Sequence, residues 1–401
     1  MGAKSSHVAK ISDCAGARTV PVRSGFANGE SPQLAAPQPP RTRCGRGPSA
    51  LRFGCGSAAL DHPWLDSLMS TEQQIASFRQ TWQNLRAEIG KVMVGADPII
   101  EGTLTAILAG GHVLLEGVPG LGKTLLVRTL SDVLELSFSR IQFTPDLMPA
   151  DILGTNMVME TPDGRREFVF QRGPIFAHLI LADEINRATP KTQSAMLEAM
   201  QEKQVTAGGE LRKLAEPFFV LATQNPIDQE GTYPLPEAQL DRFFFKLIVG
   251  YPTAAELTEV LNRTTENARI RPDKVLDGAA LLELQTLVRQ VPVASHVKDY
   301  AVRLVLATHP KTDTAAAISN QYLRFGSSPR GAQCLILAGK VRALTQGRFN
   351  VSFDDIQAVA LASLRHRLIP NFEAEAEGVT TDLIIAQVLK DVPRNAEAVT
   401  A

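Results

Sequence analysis

Apolar residues recur at Ile75, Phe78, Trp82, Leu85, Ile89 and Val92, the spacing of one face of an α-helix. Ser70 stands just ahead of them with Gln73 three residues on, the capping-box arrangement that opens a helix. Pro98 marks the start of a second helix. The period then changes. HVLLE (His112–Glu116) reads as a short buried strand, followed by a glycine-rich turn and a helix from Lys123 to about Leu136. SRIQF (Ser139–Phe143), HLILADE (His178–Glu184) and FFVLATQNP (Phe218–Pro226) are apolar runs of strand length, and FFFKLIVGY closes the series. Thr189–Lys203, rich in Ala, Met, Leu and Glu, reads as a helix. MVMETPDGRREFVF (Met157–Phe170) reads as a hairpin around a Pro-Asp-Gly turn.

Strands alternating with helices predict an α/β fold, a parallel sheet with helices on both faces. After Pro252 the strand pattern stops. Helical periodicity takes over at Ala254–Arg263, Leu276–Val291, Val297–Thr308, Arg330–Leu344, Phe353–Leu368 and Asp382–Lys390. The expected organisation is an α/β domain over 69–252 followed by a smaller all-α domain over 253–395.

Residues 1–68 have no helical or strand period and are rich in Gly, Ser, Pro and Ala, the composition of a loop or disordered segment. Three readings fit: a true start at Met69, a disordered extension with a role of its own, or an acid-poor targeting leader. The segment has no secretory apolar core, and the helix that opens at Ser70 favours the start at Met69.

A net charge of −1 over 401 residues provides no global basic field for nucleic acid. No apolar run reaches the length of a membrane span. Cys14, Cys44, Cys55 and Cys334 lie far apart, without metal-site spacing, which fits a reducing, cytoplasmic compartment.

The chemistry begins at GVPGLGKT, with Gly117, Val118, Pro119, Gly120, Leu121, Gly122, Lys123 and Thr124 in order and Leu125 next. It matches the phosphate-loop pattern between a strand and a helix. Glycines let backbone N–H groups turn inward on phosphate oxygens, and the helix N-terminus adds partial positive charge. Lys123 is placed for β- and γ-phosphates and the Thr124 hydroxyl for Mg²⁺, so ATP and Mg²⁺ are the expected cofactors.

Two carboxylates, Asp183 and Glu184, end the run ILADE, at the strand edge where open α/β sheets bind ligands. Asp183 suits Mg²⁺, directly or through water, and Glu184 suits polarisation of an attacking water. A solvated strand end would look the same in isolation; the phosphate loop favours the catalytic reading. Asn225 ends the next strand, either as a turn former before Pro226 or as a neutral group that orients water. Arg242 precedes Phe243, Phe244 and Phe245, and either pairs with Asp241 or reaches outside its own chain.

Together these residues resemble an AAA+ ATPase, and more closely the MoxR family of the helix-2-insert clade. The resemblance is carried by GHVLLEGVPGLGKT (Walker A), FTPDLMPADILG, GPIFAHLILADEINRATPKTQSAMLEAMQE (Walker B), ATQNPIDQEGTYPLPEAQLDRF and GSSPRG, and spans roughly Ile75 to Lys390. It implies that Asn225 is sensor 1, that Arg330 is sensor 2 acting in cis from a helical lid, and that Arg242 is an arginine finger acting in trans. It implies a hexameric ring with ATP between subunits, and a chaperone-like ATPase that remodels a protein client with a separate partner carrying a von Willebrand factor A domain. The hairpin at Met157–Phe170 and a second around Gln204–Leu214 match the clade's insertions. Gly331 stands where the family more usually has Ala. A nucleic-acid motor and a nucleotide-gated scaffold with little turnover are the competing functions. Near-neutral charge opposes the first, and the full set Lys123, Asp183, Glu184, Asn225 and Arg242 opposes the second.

Overall fold

The computed structural model describes residues 70–118, 120–160, 162–163, 165–226, 232–265 and 271–395; residues 1–69 and Pro119 lie outside the described residues. Chain order in the first part is α1 (Thr71–Val92), α2 (Asp97–Ala109), β1 (Val113–Glu116), α3 (Lys123–Val133), β2 (Phe138–Gln142), α4 (Pro149–Leu153), β3 (Gly154–Glu160), β4 (Arg166–Arg172), β5 (Leu179–Asp183), α5 (Pro190–Glu202), β6 (Gln204–Ala207), β7 (Glu210–Lys213), β8 (Phe219–Gln224), α6 (Glu237–Leu240) and β9 (Phe245–Ile248). The second part is α7 (Ala254–Thr265), α8 (Gly278–Gln290), α9 (Ser295–Ala307), α10 (Ala317–Tyr322), β10 (Leu323–Phe325), α11 (Pro329–Thr345), α12 (Phe353–Leu364), β11 (Ile369–Pro370), α13 (Phe372–Glu377) and α14 (Thr381–Asp391).

Five strands pair in the order β2-β5-β8-β1-β9, all parallel. Central strands of such a sheet are covered on both faces and so are apolar throughout; every residue of β5 is buried. The faces separate by alternation. Val113, Leu115, Leu179, Leu181, Phe219 and Leu221 join one hydrophobic cluster with α1, α2, α3 and the helices beyond Pro252. Leu114, Ile180, Ala182, Val220 and Ala222 join a second with α5. Truncating a buried Leu such as Leu114 to Ala would cost about 2–5 kcal/mol. The register aligns Glu116 with Gln224 and Gln142 with Asp183. The residues following these strand ends therefore reach one sheet edge together.

The capping box at Ser70 and Gln73 forms as expected, each side chain bonding the other's backbone N–H. Helices dominate after Pro252, with one addition: β10 and β11 make a short antiparallel pair. Three- and two-residue strands, and the six-residue helices α10 and α13, are too short to impose a readable period. The strands β3 and β4 pair antiparallel as the expected hairpin, and β6 and β7 form a second. The two touch: Asn156 donates to the Gly208 carbonyl at 3.1 Å, and the Arg212 guanidinium lies 3.7 Å over the Phe170 ring.

His112 has no role at the sheet edge. Its Nδ1 accepts the Val220 N–H at 3.1 Å and its Nε2 donates to the Met200 carbonyl at 3.0 Å, which ties β8 to α5. Burial pushes its pKa down to about 4, so it stays neutral. His178 pairs with Ser137 at 2.7 Å. Among the described residues no helix is long and apolar enough to cross a membrane.

Candidate active site

Gly120, Gly122, Lys123, Thr124, Leu125, Asp183, Glu184 and Asn225 line one cleft of about 260 Å³ at the sheet edge, with Arg140 and Gln142. Three β-strand ends and one helix start build it. After β1 the chain turns through Gly120 at φ +86° and Gly122 at φ +74°, left-handed conformations that glycine adopts without a Cβ penalty. Nothing lies within 4 Å of where a Gly120 side chain would be, so this side of the loop is open. Gly122 is the N-cap of α3 and provides no side-chain cap, which leaves the first-turn N–H groups to an incoming acceptor. Lys123 Nζ donates to the Gly117 carbonyl at 2.6 Å. Burial lowers the Lys123 pKa, and Asp183 and Glu184 pull it back up.

Asp183 ends β5 and is engaged on both oxygens. Oδ1 accepts from Thr223 Oγ1 at 2.7 Å. Oδ2 accepts from Arg140 Nη2 at 2.6 Å and Nε at 3.1 Å. Glu184 sits at φ 54°, ψ 52°, an uncommon region for a residue with a side chain, where functional residues concentrate. Its N–H donates to Thr223 Oγ1 at 2.8 Å. The 3₁₀ turn that follows returns Arg187 to Glu184, Nη1 to Oε2 at 2.8 Å, and Gln142 Nε2 reaches the same oxygen at 3.2 Å. Buried Gln193 braces this turn from below, donating to the carbonyls of Ile185, Ala188 and Tyr233.

These residues fit ATP with Mg²⁺. The Thr124 hydroxyl and the Asp183 carboxylate are hard oxygen donors of the kind Mg²⁺ takes. The open glycine loop, the uncapped helix start and Lys123 suit phosphate oxygens.

Arg242 and Arg330 do not line this cleft. Arg242 does not bond Asp241; its Nη1 donates to the Leu197 carbonyl at 2.8 Å. Asp241 instead accepts from Ser328 Oγ at 2.7 Å, Arg367 Nε at 3.0 Å and Arg330 Nη1 at 3.3 Å. A Cβ at Gly331, which follows Arg330, would meet Ser327 Oγ at 2.1 Å, so an Ala there needs the Ser327 hydroxyl to turn aside.

Sequence reasoning missed Arg140, Gln142, Thr223, Gln193 and Arg367. Each left a trace. Thr223 is a polar residue inside the apolar run FFVLAT, and Arg140 a charge in the middle of a strand. Such placements need a partner, but the sequence does not say which.

Comparison with known proteins gives the family of the fold that carries this cleft. Residues 112–245 match the family model described as "ATPase family associated with various cellular activities (AAA)", and residues 315–388 match the AAA lid domain. The chain is 44% identical to Chaperone MoxR1 of Mycobacterium tuberculosis over 76% of its length and 80% of that protein's. It is 29% identical to Protein MoxR of Methylorubrum extorquens, over 82% of this chain and 99% of that one. A crystal structure from Cytophaga hutchinsonii, described as a "putative ATPase", superposes with a TM-score of 0.76 at 42% identity, covering 81% of this chain and 98% of that one. The chain belongs to the MoxR family of AAA+ ATPases.

Proposed function

We propose that the chain binds ATP with Mg²⁺ in the β1–α3 cleft, hydrolyses it, and uses the turnover to remodel, assemble or activate a protein client. One observation carries the reading: Lys123, Thr124, Asp183, Glu184 and Asn225 line a single cleft at the sheet edge. In this account the loop N–H groups and Lys123 bind the β- and γ-phosphates, and Thr124 and Asp183 hold the metal. When bound, Mg²⁺ supplies neutralisation of the phosphate charge. Glu184 takes the proton of the attacking water, and Asn225 helps orient that water. Arg242 of a neighbouring copy stabilises the charge of the loose transition state, a contribution of about 10³–10⁵ in rate for fingers of this type. Arg330, which lies outside the cleft and pairs with Asp241 at 3.3 Å, would report the γ-phosphate from the lid by leaving Asp241 and swinging toward the cleft.

The domains in this reading are a nucleotide-binding part over 69–252 and a lid over 253–395, assembled as a hexameric ring with a separate von Willebrand factor A partner. The name chaperone borne by a relative supports a protein client. So does the β3–β4 hairpin, which leaves Met157, Val158, Met159, Phe168 and Val169 exposed, apolar surface of the kind that binds protein. Phosphate release from ATP in Mg²⁺, measured beside light scattering, tests the reading. It predicts turnover that stops when Mg²⁺ is chelated, and a ring-sized particle with ATP. A monomer that releases no phosphate with ATP and Mg²⁺ would refute it.

A further inference from the structure

The chain around Arg242 is held from the lid side. Arg367, just beyond α12, is 5% exposed. Its guanidinium donates Nε to Asp241 Oδ1 at 3.0 Å, and Nη2 to the carbonyls of Phe243 at 2.7 Å and Asp241 at 3.3 Å. Nη1 reaches the Phe244 carbonyl at 3.3 Å and also donates to the Ser363 carbonyl. Next to it, His366 Nε2 donates to the Phe243 carbonyl at 3.0 Å. Burial first, and then the Arg367 charge, holds the His366 pKa well below its ordinary value, so a neutral ring makes this bond.

The planar fork of an arginine holds several acceptors in one rigid plane through three nitrogens, where a lysine offers one rotatable nitrogen. Here the acceptors are the backbone carbonyls of residues 241, 243 and 244, on either side of Arg242. On the side before Arg242 the chain has little packing, since α6 is four residues long with no buried side chain. On the side after it Phe243 and Phe244 are buried, and Arg367 ties the two sides together. Gly331 belongs to the same device, since its bare Cα leaves Ser327 and Arg367 in place; a Cβ would come within 3.3 Å of Arg367 Cδ. The Asp241 carboxylate is the hub, joining Ser328, Arg330 and Arg367 of the lid to the residue beside Arg242.

We propose that Arg367 and Asp241 are positioning residues for catalysis in the neighbouring subunit: the lid of one copy sets the Arg242 that serves the next copy's cleft. This rests on Arg242 acting in trans. A finger misplaced by about 1 Å can lose on the order of 100-fold in rate, so the subunit that lends the arginine, through its own lid, governs turnover next door.

Complementation between full-length variants tests this. Asp241→Asn keeps the shape and removes the charge. Alone it should lose about 10- to 100-fold in kcat, with KM for ATP within about twofold, because none of the residues lining its own cleft bonds Asp241. Arg367→Lys, whose site does not touch Arg330, must segregate the same way, so that an effect through Arg330 is told apart from one through Arg242. Mixed with Glu184→Gln, which retains an intact finger, it should regain turnover. Mixed with Arg242→Ala, which also lacks a working finger, it should regain none. Rescue by Arg242→Ala, no rescue by Glu184→Gln, or wild-type turnover of Asp241→Asn alone would overturn the proposal. A control mixture of Arg242→Ala with Glu184→Gln separates the two claims. If the control recovers and Asp241→Asn segregates the other way, only the lid-to-finger link falls; if the control does not recover, the trans finger itself falls. Should Asp241→Asn not fold, Arg367→Lys, which keeps the charge but loses the fork, carries the same test.

Discussion

Asp183 Oδ1 accepts a hydrogen bond from Thr223 Oγ1 at 2.7 Å, and the same hydroxyl accepts the Glu184 N–H at 2.8 Å. One buried side chain on β8 thus holds the Asp183 carboxylate and the Glu184 backbone at the end of β5. Thr223→Val keeps the volume but leaves a buried amide and a carboxylate oxygen unpaired, at a cost of about 1–3 kcal/mol. A lower melting temperature and a turnover reduced about tenfold or more are expected, with Thr223→Ser close to wild type. A Val variant that melts and turns over like the wild type would remove Thr223 from the account.

Arg140 holds the Asp183 carboxylate that the proposed function gives to Mg²⁺, so it would compete with the metal there. Its guanidinium bonds Oδ2 twice, at 2.6 and 3.1 Å, yet its side chain is 48% exposed. Asp183 is only 13% exposed, so this half-buried, two-bond pair sits at the upper end of the range for exposed pairs, about 1 kcal/mol. Arg140→Met should lower the Mg²⁺ concentration for half-maximal turnover by about two- to fivefold. A higher Mg²⁺ requirement in the variant would mean that Arg140 assists the site instead.

Acid should destabilise the protein through His112. Its pKa in the folded chain is about 4, against an ordinary 6.5, because it is buried between β8 and α5. Between these values the unfolded state binds more protons, so stability rises with pH. The contribution is fully present above about pH 6.5 and is lost as pH falls toward 4, at 1.36 kcal/mol per unit, or roughly 3 kcal/mol in all. His366, also lowered by burial, acts in the same direction. His112→Gln can keep both hydrogen bonds without titrating. Its melting temperature should fall less steeply from pH 7 to 5 than that of the wild type. Parallel curves would sink the assignment.

The sheet was legible because its strands are short apolar runs ending in chemistry. GVPGLGKT, LADE and ATQN each close a strand, and the parallel register brings Lys123, Asp183 and Asn225 to one edge. Contacts across long sequence separations were not legible. Nothing near Asp241 in the chain announces Arg367, 126 residues on, and the open choice for Arg242 between a local pair and an outside target had a further answer. Asp241 pairs with Ser328, Arg330 and Arg367 of the lid, and Arg242 rests on the Leu197 carbonyl. Periodicity reports which face of an element is buried, but not which distant donor a buried acceptor finds.

The central claim is that the cleft hydrolyses ATP with Glu184 activating the water. The most direct measurement follows bound nucleotide and released phosphate together in wild type, Lys123→Ala and Glu184→Gln. The account predicts binding and release in the wild type and neither in Lys123→Ala. Glu184→Gln should bind ATP with near wild-type affinity and release phosphate about 10²–10⁴ times more slowly. Phosphate release by Glu184→Gln at the wild-type rate would contradict it.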